Sequence, residues 1–325
     1  MTDPTADLAD AVRSGDRRAL ARAITLVEST RRDHREKAAA LLEHVIADTG
    51  RALRVGISGA PGAGKSTFIE TFGLHLTEQQ SRRVAVLAVD PSSPRGGGSI
   101  LGDKTRMAAL ARHDNAFIRP SPSGGSIGGV ARGTHDALLV CEAAGFDTVL
   151  VETVGVGQSE IAVDDMVDTF MLLVAPGTGD TMQGIKRGVT ETADVVVVTK
   201  GDGELRASAT QAAAQYRDAL HFLRRKHPDW EPEVVVSSAL TGDGIEDVWD
   251  AVTRHHETLV GSGALDARRR EQAVNWFWTA VRDQLVADLR ADETVADDLA
   301  GLERQVADGS LTPTGAALRV TKTRG

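Results

Sequence analysis

Nine consecutive residues, Gly59-Ala60-Pro61-Gly62-Ala63-Gly64-Lys65-Ser66-Thr67, carry the densest chemistry in the chain. They fit G-x-x-x-x-G-K-[ST], with a strand-like run, Arg54 to Ser58, before them and a helix-length stretch after, the context in which this pattern cradles phosphates. Gly59, Gly62 and Gly64 let the backbone curl around Pro61 and Ala63 until successive N–H groups face an anion. Lys65 supplies a cation between β- and γ-phosphates, and the Ser66 hydroxyl, with Thr67 beside it, is a hard ligand for magnesium. A magnesium ion holding a triphosphate needs more oxygen ligands. Asp90 follows the apolar run Val84–Val89, Glu152 follows Thr148–Val151, and Asp103 lies in a loop opened by Gly96-Gly97-Gly98. One Asp after a strand is more often a cap than a ligand. Three carboxylates downstream of a phosphate loop point to metal for at least two, and Lys65, Asp90 and Glu152 are the expected catalytic set.

Glu152-Thr153-Val154-Gly155 stands where a GTPase carries D-x-x-G, so Gly155 is the expected γ-phosphate sensor. Gln158 lies three residues beyond that glycine and Val156 follows it directly, which leaves no obvious water-positioning group and predicts slow intrinsic hydrolysis. A base-reading pattern comes later. After the run Val195–Val198, Thr199-Lys200-Gly201-Asp202 fits N-K-x-D with threonine in the asparagine position. The Asp202 carboxylate can accept from guanine N1–H and the 2-amino group, a donor pair adenine does not present, while the Lys200 stem packs on the base. Thr199 has no carboxamide, so one usual contact is expected to be weakened. Ser238-Ala239-Leu240, after Val234–Ser237, offers a backbone N–H for the guanine O6. The two patterns together favour GTP over ATP.

The elements that must position these groups are visible as texture. Helical spacing runs through Asp16–Ser29 and His34–Ile46; after Gly50, short valine-rich runs alternate with helix-length stretches. Continuous apolar runs suit parallel strands covered on both faces, which predicts an α/β fold with a doubly wound, mostly parallel sheet. The expected organisation is an N-terminal helical extension over 1–50, a nucleotide-binding domain over 51–260, and a C-terminal helical arm over 261–325 entered through the linker Gly261-Ser262-Gly263. Val274, Phe277, Trp278, Val281, Leu285 and Leu289 form an apolar stripe on that arm, suited to local core or to a second chain. The adjacent pair His255-His256 reads as a helix surface.

Composition narrows the class. The chain has 325 residues, 41% of them apolar, and a formal net charge of -9, which argues against a nucleic-acid or anionic-membrane binder. Cys141 is the single cysteine, so no disulfide framework or multi-thiolate site exists within one chain. The acidic, polar N-terminus and strand-sized apolar runs predict a soluble, cytoplasmic protein with no membrane partner. Seven lysines stand against 30 arginines, and Lys65, Lys104, Lys186 and Lys200 lie in or beside the glycine-rich and acidic motifs.

Longer stretches carry a family resemblance. Asp90-Pro91-Ser92-Ser93-Pro94, Gly97 to Met107, Ile118 to Pro122, Val151 to Glu160 and Gln183 to Gly188 resemble the MeaB/MMAA (ArgK-type) P-loop GTPases across about residues 10–290. The resemblance implies a homodimeric GTPase that acts as metallochaperone for an adenosylcobalamin-dependent acyl-CoA mutase of the methylmalonyl-CoA mutase type. Such a protein gates cofactor loading and protects or reactivates the mutase, with GTP/GDP and Mg2+ as its ligands. It also implies that Asp90, Asp103 and Glu152 surround magnesium. Residues 175–186, including Asp180, Gln183 and Lys186, resemble the switch that signals nucleotide state to the mutase; alone, Asp180 and Lys186 read as solvated charges. Thr199 and Gly201 depart from the family's Asn and Ala, Thr178 from Ala, and His135 from Arg. A nickel-inserting GTPase of the same branch and an ArgK-type kinase of a transport-binding protein are the alternative readings. One cysteine and scattered histidines speak against the first, and the lack of a separate phospho-acceptor site against the second. A scaffold with a vestigial site fits poorly with an intact phosphate loop.

Overall fold

The computed structural model describes residues 3–89, 107–120, 127–153, 159–177, 187–223 and 225–322. Seven strands form one parallel sheet: β1 Leu53–Gly59, β2 Val84–Val89, β3 Ala116–Arg119, β4 Thr148–Thr153, β5 Thr169–Val174, β6 Val195–Val198 and β7 Glu233–Val236. Their spatial order is β3-β2-β4-β1-β5-β6-β7. Strands β2, β3 and β4 thus lie on one side of β1 and β5, β6 and β7 on the other, and the carboxyl end of β1 is at the switch point where an open α/β sheet holds its ligand. Every residue of β1, β2, β4, β5 and β6 is buried, as continuous apolar runs covered on both faces require.

The described helices are α1 Pro4–Arg13, α2 Arg17–Val27, α3 Arg32–Val45, α4 Lys65–Glu78, α5 Ile127–Ala143, α6 Ser159–Asp164, α7 Arg187–Thr192, α8 Arg206–His221, α9 Ile245–Ser262, α10 Ala264–Ala291, α11 Glu293–Ala307 and α12 Pro313–Lys322. Among described residues no helix is long and apolar enough to cross a membrane. α4 buries Phe68, Ile69, Phe72 and Leu76 against the sheet, with Trp249 of α9 tilted on Phe72 at 6.3 Å between ring centres. At the amino ends of the strands, the buried guanidinium of Arg54 pairs with both oxygens of Glu142, at 2.8 and 2.9 Å. Arg269 of α10 grips Asp168 the same way, at 2.8 and 2.7 Å.

The chain divides into two compact units, Met1–Ala273 and Val274–Gly325. The first takes in the N-terminal helices. α2 starts where Asp16 accepts hydrogen bonds from the N–H groups of Arg18 and Ala19, at 2.7 and 2.9 Å, satisfying two donors that the first turn leaves open. Asp16→Ala is expected to cost about 1 kcal/mol, read as a lower urea midpoint with an unchanged slope. In the second unit Val274, Phe277, Trp278 and Leu285 are each more than half exposed.

Two local readings are revised, and one strand is added to them. Gly261-Ser262-Gly263 is no extended linker: α9 runs through Ser262, Gly263 caps it in the left-handed conformation, and α10 begins at the next residue. Ala116–Arg119 is an edge strand with only alternate residues buried, too short to register as an apolar run. His255 is 0% exposed, not on a surface, because it shares the buried stripe of α9 with Val248, Val252 and Leu259, while His256 is half-buried.

Candidate functional site

The phosphate loop leaves β1 and closes onto α4. Gly64 is the N-cap of α4 at φ 87°, a left-handed conformation that a β-carbon would strain. That turn presents the amino end of a fourteen-residue helix to the loop, a ready anion site through its open N–H groups and dipole. Lys65, the first residue of α4, folds back so that Nζ donates to the carbonyl of Gly59 at 2.6 Å. Burial holds its ammonium below the ordinary lysine pKa, while the carboxylates of Glu152 and Glu160 act in the opposite sense. The loop thus keeps a partly desolvated cation at its mouth.

Beside the loop stands β4. Its register puts Glu152 opposite Ile57 of β1 and Ala88 of β2, one residue short of the strand's end. Glu152 is buried, and its Oε1 lies 3.4 Å from Ser66 Oγ. A hydroxyl and a carboxylate side by side are the hard oxygen donors that magnesium selects, so the donor set fits that ion. Thr153 donates to Ser58 Oγ at 2.9 Å and locks β4 to β1 at this level. Asp90, Asp103, Lys104, Gly155, Gln158, Asp180, Gln183 and Lys186 lie outside the described residues.

On the other side of β1, loops after β6 and β7 form the second half of the site. Lys200 is exposed with a left-handed φ of 57°, which turns the chain so that Asp202 follows on the same loop. Ser238 donates to Asp202 Oδ1 at 2.6 Å, fixing one carboxylate oxygen. The same hydroxyl accepts from the N–H groups of Leu240 and Thr241, at 3.2 and 3.3 Å, and so shapes the Ser238-Ala239-Leu240 turn. Gly201 N–H donates to the Ser237 carbonyl at 3.0 Å; a β-carbon at Gly201 would come within 2.5 Å of Val236 Cγ1. The two loops approach closely here, and glycine leaves room for the Val236 side chain as it is placed. Leu240 is 80% exposed, so the turn stands open at its tip.

Thr199 does more than its type suggested. Its buried hydroxyl lies 2.7 Å from the carbonyl of Ala63 in the phosphate loop and 3.1 Å from that of Val174 at the end of β5. The expected loss of an asparagine contact is therefore replaced by a direct tie between base loop and phosphate loop. Thr71 of α4 donates to the Ala239 carbonyl at 2.9 Å. Thr199–Ala63, Asp202–Ser238 and Thr71–Ala239 join the two halves into one frame. Residues 63 and 199 are far apart in sequence, which is why the pattern alone did not reveal the tie. Thr199→Val keeps the shape and removes the hydroxyl, at about 1–1.5 kcal/mol for one hydrogen bond. The expected result is a roughly five- to tenfold weaker Kd for a fluorescent GDP analogue, with guanine preference intact.

Comparison with known proteins agrees with this geometry. Residues 20–294 match the family model described as "Methylmalonyl Co-A mutase-associated GTPase MeaB". A probable GTPase of Mycobacterium tuberculosis is 56% identical over 319 residues, covering 98% of this chain and 95% of that protein. The mouse protein named "Methylmalonic aciduria type A homolog, mitochondrial" is 49% identical, covering 93% of this chain and 75% of its own length. A solved structure described as an LAO/AO transport system kinase superposes with a TM-score of 0.75 at 37% identity, covering 99% of each chain.

Proposed function

The chain belongs to the MeaB family of P-loop GTPases, and from that premise we propose that it serves as a metallochaperone of an adenosylcobalamin-dependent acyl-CoA mutase of the methylmalonyl-CoA mutase type. In this reading the nucleotide state gates cofactor loading and protects or reactivates the mutase. The observation that supports it is the hydrogen-bonded frame that joins the two loops, with Lys65 and Ser66 on one side of β1 and Asp202 with Ser238 on the other.

Each group then has a task. Asp202 accepts from the guanine edge and Lys200 lies along the base. Lys65 turns from the Gly59 carbonyl to the phosphates, exchanging one acceptor for stronger, charged ones. Ser66 and Glu152, with Asp90 and Asp103, would hold Mg2+, which when bound neutralises charge on the β- and γ-phosphate oxygens. Gly155 follows β4 by two residues, so loss of the γ-phosphate is felt immediately beyond Thr153. Asp180, Gln183 and Lys186 follow β5 and carry that change to the mutase. The exposed stripe of Val274, Phe277, Trp278 and Leu285 supports a homodimer formed through the second unit.

Co-purification tests the partner. A methylmalonyl-type mutase should be retained by the full chain in a nucleotide-dependent way, differing between GDP and a non-hydrolysable GTP analogue. If no acyl-CoA mutase binds in either state, the chaperone reading is wrong.

A further inference from the structure

Asp194, His227 and His255 converge at the opposite end of the sheet from the nucleotide site. Asp194 immediately precedes β6, whereas Thr199 follows it. About five residues of extended chain, roughly 16 Å, separate the two ends. His227 lies in the connection between α8 and β7, and His255 on the buried face of α9. One ligand atom from each residue lies within 4.8 Å of the other two. The Nε2 atoms of both histidines stand 3.7 Å from Asp194 Oδ1, too far for hydrogen bonds. Both Nε2 atoms are buried and have no hydrogen-bond partner. Interior polar atoms left in this state are costly, and they are few in folded proteins.

The surroundings orient all three groups toward one point. Asp194 Oδ2 is held by the Phe170 N–H at 2.8 Å and by Lys226 Nζ at 2.9 Å, which leaves Oδ1 turned to the imidazoles. Trp230 Nε1 donates to the Asp194 carbonyl at 2.9 Å. His255 Nδ1 lies 2.8 Å from Thr169 Oγ1; in the tautomer that donates Nδ1–H to it, Nε2 presents its lone pair inward. Outer contacts of this kind are what fix a metal-binding histidine. Burial also keeps both imidazoles in the neutral form that ligation needs, with His255 pushed down to about 4. Lys226 and Arg268 already offset Asp164 and Asp194 nearby, so a cation must gain its binding from the two nitrogens. Two imidazoles and one carboxylate oxygen select zinc-class ions over magnesium or calcium.

We propose that Asp194, His227 and His255 form a buried site for a divalent zinc-class cation, separate from the nucleotide site, that staples the α8–β7 connection and α9 to the amino end of β6. Three protein ligands leave a fourth position for water. No spacing motif announces the set, since its members come from three different elements.

The test uses the full-length, untagged protein, stripped with a chelator and saturated with GDP and Mg2+ so that the nucleotide site takes no zinc. Zinc affinity is measured by competition with a chromophoric chelator, and Co2+ is added as a spectroscopic probe. The expected result is one zinc per chain, a rise in Tm on zinc addition, and visible cobalt bands of a low-coordinate nitrogen–oxygen site. His227→Gln and His255→Gln should each weaken zinc binding by more than about 100-fold, beyond what a lost outer-shell partner costs. His256→Gln should leave it unchanged. Retained circular dichroism and GTP turnover in His227→Gln separate loss of the site from loss of the fold. The proposal is overturned if wild-type protein takes up no stoichiometric zinc, if both glutamine variants bind as wild type does, or if zinc-soaked crystals show only a water bridging the three side chains.

Discussion

Lys65→Ala lowers kcat/KM for GTP by at least about 10³-fold while leaving Tm within a degree or two of wild type. The size follows from what the ammonium faces. Removing one preorganised donor from a developing oxyanion costs about 10²–10³ in rate, and in the proposed role Lys65 brings a full charge to two phosphates. Its environment strengthens the effect: the side chain is partly desolvated, and fixed charges act more strongly where water is excluded. The unchanged stability follows from the same fact. Burial lowers the folded-state pKa of Lys65, so the charge is held at a cost, and its one short contact is to a loop carbonyl. Deleting it removes strain as well as a bond. Lys65→Arg should not restore turnover, because a planar guanidinium cannot occupy the compact space beside Gly59 O that an ammonium fills at 2.6 Å. Single-turnover hydrolysis and a thermal melt on the same preparation check both halves. A variant that keeps turnover within tenfold of wild type would refute the role given to Lys65.

Much of this site was legible because its parts are contiguous. Gly59 to Thr67 fall on one strand–turn–helix, so type and spacing sufficed, and the buried runs of β1, β2, β4, β5 and β6 followed from the same chain texture. What could not be read was tertiary. Thr199 looked like a weakened asparagine until its hydroxyl was found on Ala63 of the phosphate loop. Asp194 stands just before a strand, and nothing in its sequence neighbourhood joins it to His227 and His255. His255 was misread for a different reason, since the period of α9 already placed it on the buried stripe with Val252 and Leu259. Its neighbour His256 had suggested a surface pair. The lysine count is sharpened as well: Lys65 and Lys200 lie at the phosphate and base loops, but Lys226, outside every motif, is a structural partner of Asp164 and Asp194.

Asp202→Asn is expected to weaken guanine-nucleotide binding by about 10²–10⁴-fold and to move preference toward xanthine. Guanine offers two donors, N1–H and the 2-amino group, and a carboxylate meets both with acceptors. Hydrogen bonds to a charged group contribute about 1.5–3 kcal/mol each, so two of them span that range at 1.4 kcal/mol per decade. The asparagine amide turns one acceptor into a donor, which then faces the 2-amino group. Xanthine carries a carbonyl at that position and keeps N1–H, so its edge matches the amide. The local structure decides which oxygen becomes nitrogen. Ser238 donates to Oδ1 at 2.6 Å and its own oxygen also receives the N–H groups of Leu240 and Thr241, so its hydrogen must go to an acceptor. The amide oxygen is therefore held at Ser238, and the NH2 group turns to the base. Asp202→Ala supplies the contrast, losing guanine affinity without gaining xanthine. Ser238→Ala should release the constraint, and the double variant Asp202→Asn/Ser238→Ala should select xanthine less sharply than Asp202→Asn alone. Competition of GDP, XDP and ADP against a fluorescent nucleotide measures all four proteins on one scale. If Asp202→Asn keeps wild-type preference for GDP over XDP, the base is not read at Asp202 and the site must bind its nucleotide in another orientation.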